Sequence, residues 1–165
     1  QRCEPRVTGF SFRGVEEARP APGVREALEQ ADLVVICPSN PWVSIDPILA
    51  VPGIKGALTG KEVIAVSPII AGKAIKGPAA KMYAELGIQP SACAVARHYR
   101  GKPAGGLLSG FVLDDRDAAQ VAEIRKLGVL VKATQTLMLT EDDRVNLARE
   151  VLVFGQEVIT EGVKR

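Results

Sequence analysis

The sequence predicts an α/β layered domain with a mainly parallel sheet flanked by helices. Short apolar runs of strand length recur along the chain: Leu33-Val34-Val35-Ile36, Glu62-Val63-Ile64-Ala65-Val66, and residues 107–113 and 129–133. Between them lie segments whose apolar residues fall at helical spacing, and this alternation is the pattern of parallel strands joined by helical crossovers. Aromatic residues make up only 4% of the 165 residues while 47% are hydrophobic, so the core is aliphatic.

Taken in order, Val7-Thr8-Gly9-Phe10-Ser11-Phe12 alternates loosely and predicts a strand at a sheet margin. The proline-rich linker Arg19-Pro20-Ala21-Pro22 stops it. Val24, Ala27, Leu28 and Ala31 recur at i, i+3, i+4 and i+7, one stripe of a short helix. Strand 33–37 breaks into Cys37-Pro38-Ser39-Asn40-Pro41-Trp42-Val43-Ser44, after which residues 44–50 and 53–59 predict two helical pieces separated by Pro52 and Gly53. Strand 62–66 opens into Ser67-Pro68-Ile69-Ile70-Ala71-Gly72-Lys73. Pro78 suits the first position of a helix with the stripe Ala79, Met82, Tyr83 and Leu86, closed by Gly87. Ser91 is placed to cap a helix carrying Ala92, Val95, Ala96 and Tyr99. A glycine-rich loop, 101–106, leads to strand 107–113, and Asp114 or Asp115 caps a helix ending at Gly128. Strand 129–133 ends at Thr134-Gln135-Thr136. Thr140 with Asp143 matches a capping box for a long last helix, 140–160, with a broad apolar face of Leu147, Ala148, Val151, Leu152, Val158 and Ile159. The expected whole is one α/β region over 1–165, a Rossmann-like three-layer domain.

Composition narrows the function classes. With 21 basic against 19 acidic residues the net charge of +2 gives no electrostatic footprint for nucleic acid, and no apolar run reaches the length of a membrane span. Cys3, Cys37 and Cys93 are odd in number and lack metal-ligand spacing, so buried reduced thiols are expected in place of a disulfide framework, with a cytoplasmic location as the default. The opening Gln1-Arg2-Cys3-Glu4-Pro5 reads as mid-protein sequence.

In an open parallel sheet, ligands sit on the loops leaving the carboxyl ends of strands, which directs attention to Ser39, Asn40 and Ser44. A plain turn would use the same residues. Lys73, Lys76 and Lys81 cluster in a glycine-interrupted loop opening onto a helix N-terminus, a setting for an anion such as phosphate or simply a solvated loop. Gly72-Lys73 lacks the glycine and hydroxyl of a complete phosphate-binding loop, with Ser67 and Ala74 at those positions. His98, the only histidine, is expected to be structural or solvent-facing, and Asp114-Asp115 to cap a helix, not bind a metal.

Several collinear motifs together resemble the 2-phospho-L-lactate transferase family: Pro38-Ser39-Asn40-Pro41 with Val43-Ser44-Ile45, then Pro47-Ile48-Leu49-Ala50-Val51-Pro52-Gly53-Ile54; Val66-Ser67-Pro68-Ile69 leading to Gly72-Lys73-Ala74 and Lys76-Gly77-Pro78-Ala79-Ala80-Lys81-Met82; Ala94-Val95-Ala96-Arg97-His98-Tyr99; and Gly110-Phe111-Val112 followed by Asp114. The resemblance covers nearly all of the chain and implies the C-terminal half of a longer transferase. It implies a magnesium-dependent step of coenzyme F420 biosynthesis, in which a guanylyl-activated phospholactate or phosphoenolpyruvate donates its phosphoryl end to the hydroxyl of the deazaflavin precursor Fo and GMP leaves. Such a transfer needs cations to spread phosphoryl charge and positioning of the attacking hydroxyl. The resemblance further implies that Ser39, Asn40 and Ser44 hydrogen-bond donor or precursor, that Lys73 and Lys76 neutralise phosphate charge, and that catalytic and Mg2+-binding residues lie in the other half, with none in this chain. A homodimer is expected, and a chain of this length alone is expected to be inactive. The alternative is a non-catalytic nucleotide- or sugar-nucleotide-binding regulator on the same fold. In a third reading this half is chiefly a scaffold, whose helix 140–160 packs in the homodimer while the other half holds the chemistry. The stretch Arg100-Gly101-Lys102-Pro103-Ala104-Gly105-Gly106 reads as a looser connection than the family pattern leads one to expect.

Overall fold

The computed structural model describes residues 5–74 and 78–164. Its strands are β1 (Leu33–Ile36), β2 (Glu62–Val66), β3 (Ile69–Ile70), β4 (Lys73–Ala74), β5 (Gly110–Asp114) and β6 (Leu130–Thr134). β1, β2, β5 and β6 form one parallel sheet in that order, while β3 and β4 make a separate antiparallel ribbon. The helices are α1 (Val24–Gln30), α2 (Asp46–Ala50), α3 (Ile54–Ala57), α4 (Ala79–Glu85), α5 (Ala92–Tyr99), α6 (Val121–Arg125) and α7 (Glu141–Val163).

Because side chains alternate across a strand, the two central strands feed two cores. Val63, Ala65, Phe111 and Leu113 point to one face and pack with Tyr83 of α4, Val95 of α5 and Ile124 of α6. Ile64, Val66 and Val112 point to the other and meet Leu147, Val151, Phe154 and Val158 of α7. Burial on both faces explains why these strands read as unbroken apolar runs. The result is three layers, α4–α6 on one side and α7 on the other, with Leu49, Ile54 and Leu58 of the α2–α3 segment forming a satellite cluster around Val34 and Leu28.

The spacing of the α7 contacts, 147, 151, 154 and 158, is one stripe of a helix, and each such buried side chain contributes about 1.5–3 kcal/mol. The opposite side is in water: Leu152 is 61% exposed, so the apolar face is narrower than the sequence predicts. α7 seats closely because residue 110 is glycine. A Cβ there would lie 2.9 Å from Val158 Cγ2 and 3.0 Å from both Ile64 Cγ1 and Phe154 Cε1. The capping box at its start is complete: Thr140 Oγ1 accepts from Asp143 N at 3.1 Å, and Asp143 Oδ2 accepts from Thr140 N at 2.8 Å.

Three expectations are corrected. Residues 7–12 form no strand; Val7 N donates to Glu85 Oε2 at 3.0 Å and Phe10 stacks on Trp42, so the alternation is satisfied by packing over α4 and away from the sheet edge. Loop 101–106 is tight. Gly101 bridges to Leu108, Gly106 N donates to Gly101 O, and a Cβ on Gly101 would stand 2.1 Å from Leu127 O, so glycine is what lets the backbones approach. Cys37 is exposed while Cys93 is buried, and both are free thiols. No helix among the described residues is long and apolar enough to cross a membrane.

Candidate functional site

At the carboxyl end of the sheet the loops leaving β1, β2 and β6, with the starts of α4 and α7, enclose a cavity of about 460 Å³. Ser39, Asn40 and Ser44 all lie on its wall. Asn40 also builds that wall: its Oδ1 accepts from Trp42 N at 3.0 Å and Val43 N at 3.3 Å, capping a single π turn over Pro41–Ile45, and its Nδ2 lies 3.2 Å from Met82 Sδ. Trp42, driven inward by that turn, packs against Phe10, Tyr83 and His98. His98 pairs with Asp46 at 2.9 Å and fastens α5 to the start of α2, the structural role expected of it. Ser39 and Ser44 are half-buried, and their hydroxyls have no hydrogen-bond partner among the described residues.

The second wall comes from β2. Ser67 is buried, and its hydroxyl accepts from Ile69 N at 3.2 Å and donates to Ile69 O at 2.9 Å, closing a turn on itself. The ribbon that follows turns through Ala71 (φ 48°) and Gly72 (φ 73°), a two-residue hairpin with both central residues left-handed. Buried Asp117 holds the turn: Oδ2 accepts from Ala71 N at 2.9 Å, and Oδ1 accepts from Gln120 Nε2 at 2.8 Å. Gln120 in turn accepts from Cys93 N at 2.8 Å, tying the ribbon to the start of α5.

The third wall, residues 136–138 and Arg144, depends on Asp114. That carboxylate ends β5 and is 2% exposed. Its Oδ2 accepts from Thr136 N at 3.0 Å and Thr136 Oγ1 at 3.1 Å; its Oδ1 accepts from Arg116 N at 3.2 Å and Arg116 Nε at 2.8 Å. Burial pushes the carboxyl's pKa up, but these four bonds outweigh it and hold the group below the ordinary value. Asp114 is thus a helix cap as expected, though of a 3-10 turn over Asp115–Gln120 that precedes α6, and it also sets the position of the chain leaving β6.

The predicted lysines are placed differently. Lys73 is exposed on β4, the register partner of wall residue Ile70 but not itself on the wall. Lys81 is occupied by Glu85 at 2.6 Å and Pro5 O at 3.0 Å. Lys76 lies outside the described residues. The one charged side chain on the wall, among the described residues, is Arg144, which sequence reading missed. A signal was present: it closes the first turn of α7 after Glu141, Asp142 and Asp143, where the helix dipole disfavours a cation. Among the described residues no three His, Cys, Asp or Glu side chains group as a metal site.

Comparison with known proteins gives consistent results. A family model described as 2-phospho-L-lactate transferase CofD matches residues 1–147. The chain is 44% identical over 147 residues to a phosphoenolpyruvate transferase of Streptomyces coelicolor, covering 88% of this chain and 45% of that protein. It is 41% identical over 153 residues to a phosphoenolpyruvate transferase of Nocardia farcinica, covering 92% and 45%. It is likewise 41% identical over 156 residues to a 2-phospho-L-lactate transferase of Methanosarcina barkeri, covering 94% and 49%. The chain spans about half the length of the curated relatives it matches.

Proposed function

The chain belongs to the 2-phospho-L-lactate transferase family, and from that premise we propose that the full-length protein is a transferase of coenzyme F420 biosynthesis. It moves a phospholactyl or phosphoenolpyruvyl group from a guanylyl-activated donor to the hydroxyl of the deazaflavin precursor Fo, and GMP leaves. In this reading the chain supplies the pocket for the reactants. The magnesium ion is held by residues outside it, and the protein works as a homodimer.

The observation that carries the reading is the coincidence of family match and geometry. The match runs over residues 1–147, and the segments Pro38-Ser39-Asn40 and Ser67-Pro68 within it come from separate strands yet line one cavity at the carboxyl ends of the sheet. The wall offers hydroxyl and guanidinium donors above an apolar floor, a setting suited to an anionic group attached to a planar body. Ser39 and Ser44 donate to the phosphate groups of the donor or to Fo. Asn40 acts mainly through the turn that it caps. Lys73 stands beside the wall and contributes charge at longer range, where solvent screens it.

Incubating the full-length protein with Fo, magnesium and each guanylyl-activated donor, with mass detection of the products, tests this. Fo gaining a phospholactyl or phosphoenolpyruvyl group establishes the transferase and names the donor. Product from neither donor overturns the reading, and guanine nucleotide still bound under those conditions points to the regulator.

A further inference from the structure

We propose that Arg144 recognises the anionic group of the activated three-carbon donor, a role that rests on the transferase reading above. Along the cavity wall the unpartnered polar groups are donors: the hydroxyls of Ser39 and Ser44 and the guanidinium of Arg144, with no carboxylate among the described wall residues. The adjacent carboxylates of the first turn, Glu141, Asp142 and Asp143, make no ion pair with Arg144, and Asp143 is engaged in the cap. Its Oδ2 accepts from Leu139 N at 3.0 Å and Thr140 N at 2.8 Å, and its Oδ1 lies 3.4 Å from Gln135 Nε2. Arg144 has no ion-pair or hydrogen-bond partner among the described residues.

Its backbone is also fixed from two sides. The capping box sets the first turn of α7, and the Asp114–Thr136 bonds set the chain that enters it. A guanidinium on a rigid base, beside two free hydroxyls, is prepared to take a carboxylate or a phosphate oxygen pair bidentately. Lys73, on the ribbon beside the cavity, is not on its wall and carries no such fork.

The test uses the full-length protein and the variants R144Q and R144K. In steady state the donor KM rises roughly 10- to 100-fold in R144Q, as for loss of a charge-assisted bidentate contact, while the KM for Fo changes by less than roughly twofold. R144K falls between, since an ammonium keeps the charge but not the fork. Calorimetry with guanosine diphosphate and with phosphoenolpyruvate separates the two anions. Weakened binding of both probes assigns a phosphate contact, and weakened phosphoenolpyruvate alone assigns the carboxylate. Unchanged binding of both, or equal rises in donor and Fo KM, overturns the assignment. Wild-type protein that binds the probes through Arg144 but yields no product overturns the reaction and leaves the anion site standing. Arg144 is exposed, so thermal unfolding of the variants matches wild type.

Discussion

Replacing Asp114 with asparagine removes a charge and almost no volume, so it tests the carboxylate's hydrogen bonds and its ion pair with Arg116 at little packing cost. The carboxylate accepts two donors from Thr136 on one oxygen and two from Arg116 on the other. An asparagine has a single oxygen, and either orientation sets its NH2 against one pair of donors. The pairs are unequal: Thr136 is buried, whereas the Arg116 side chain is 53% exposed and can turn to water. The amide therefore keeps Thr136 and gives up Arg116, at a cost of about 1.5–3 kcal/mol. Asp114→Ala loses both pairs and leaves the buried Thr136 N–H unsatisfied, at about 3–5 kcal/mol, a large part of the roughly 5–15 kcal/mol that stabilises a domain. Urea unfolding at pH 7, with an unchanged slope, reads both values.

The pH dependence has a definite sign. The folded carboxyl titrates below its unfolded value of about 3.9. Its contribution is therefore full above that value and is lost as pH falls through the folded pKa, while asparagine does not titrate. The gap between wild type and Asp114→Asn narrows in acid. An asparagine variant within about 0.5 kcal/mol of wild type at pH 7, a gap that does not narrow below about pH 4, or an alanine variant no worse than asparagine would refute the reasoning.

Other outcomes follow from the same geometry. Gly110→Ala drives a methyl against Val158, Ile64 and Phe154 and lowers stability by about 1–3 kcal/mol, seen as a fall in the thermal midpoint. Asn40→Ala removes the cap of the π turn, costing about 1 kcal/mol and lowering kcat/KM of the full-length protein; unchanged turnover and donor binding remove Asn40 from the site. Peptide mass mapping after brief alkylation of native protein finds Cys37 modified ahead of Cys93, because Cys37 is exposed and burial raises the Cys93 thiol pKa, disfavouring the reactive thiolate. The 165-residue chain alone forms no product from Fo, magnesium and donor, and measurable product would show that the metal site does not lie outside it.

Much of the fold was legible because it rests on local rules. Strands buried on both faces must be continuous apolar runs, and 62–66 is one. Caps require an oxygen at a set offset from an N–H, and Ser91, Asp114 and Thr140 each supply it. The β3–β4 ribbon was not legible: two-residue strands carry no periodicity, and Ala71 in a left-handed turn is not a residue that announces one. The alternation at 7–12 misled because Phe10 found an aromatic partner, Trp42, in place of a neighbouring strand.

By itself the sequence determined the layered class, several cap positions and the family, since each depends on residues close in the chain, and it directed attention to the loop after β1, which lines the cavity. Only the tertiary structure decided which charge faces that loop. Lys73 and Lys81 follow the same strand and looked adjacent to it, yet one ends on an exposed ribbon and the other against Glu85. Arg144 enters from the far end of the chain because parallel strands deliver all their exits to one edge of the sheet, and β6 hands the chain to α7 there. Which side chains converge at that edge is set by strand order and by the buried Asp114–Thr136 contact, both long-range features that no local pattern encodes.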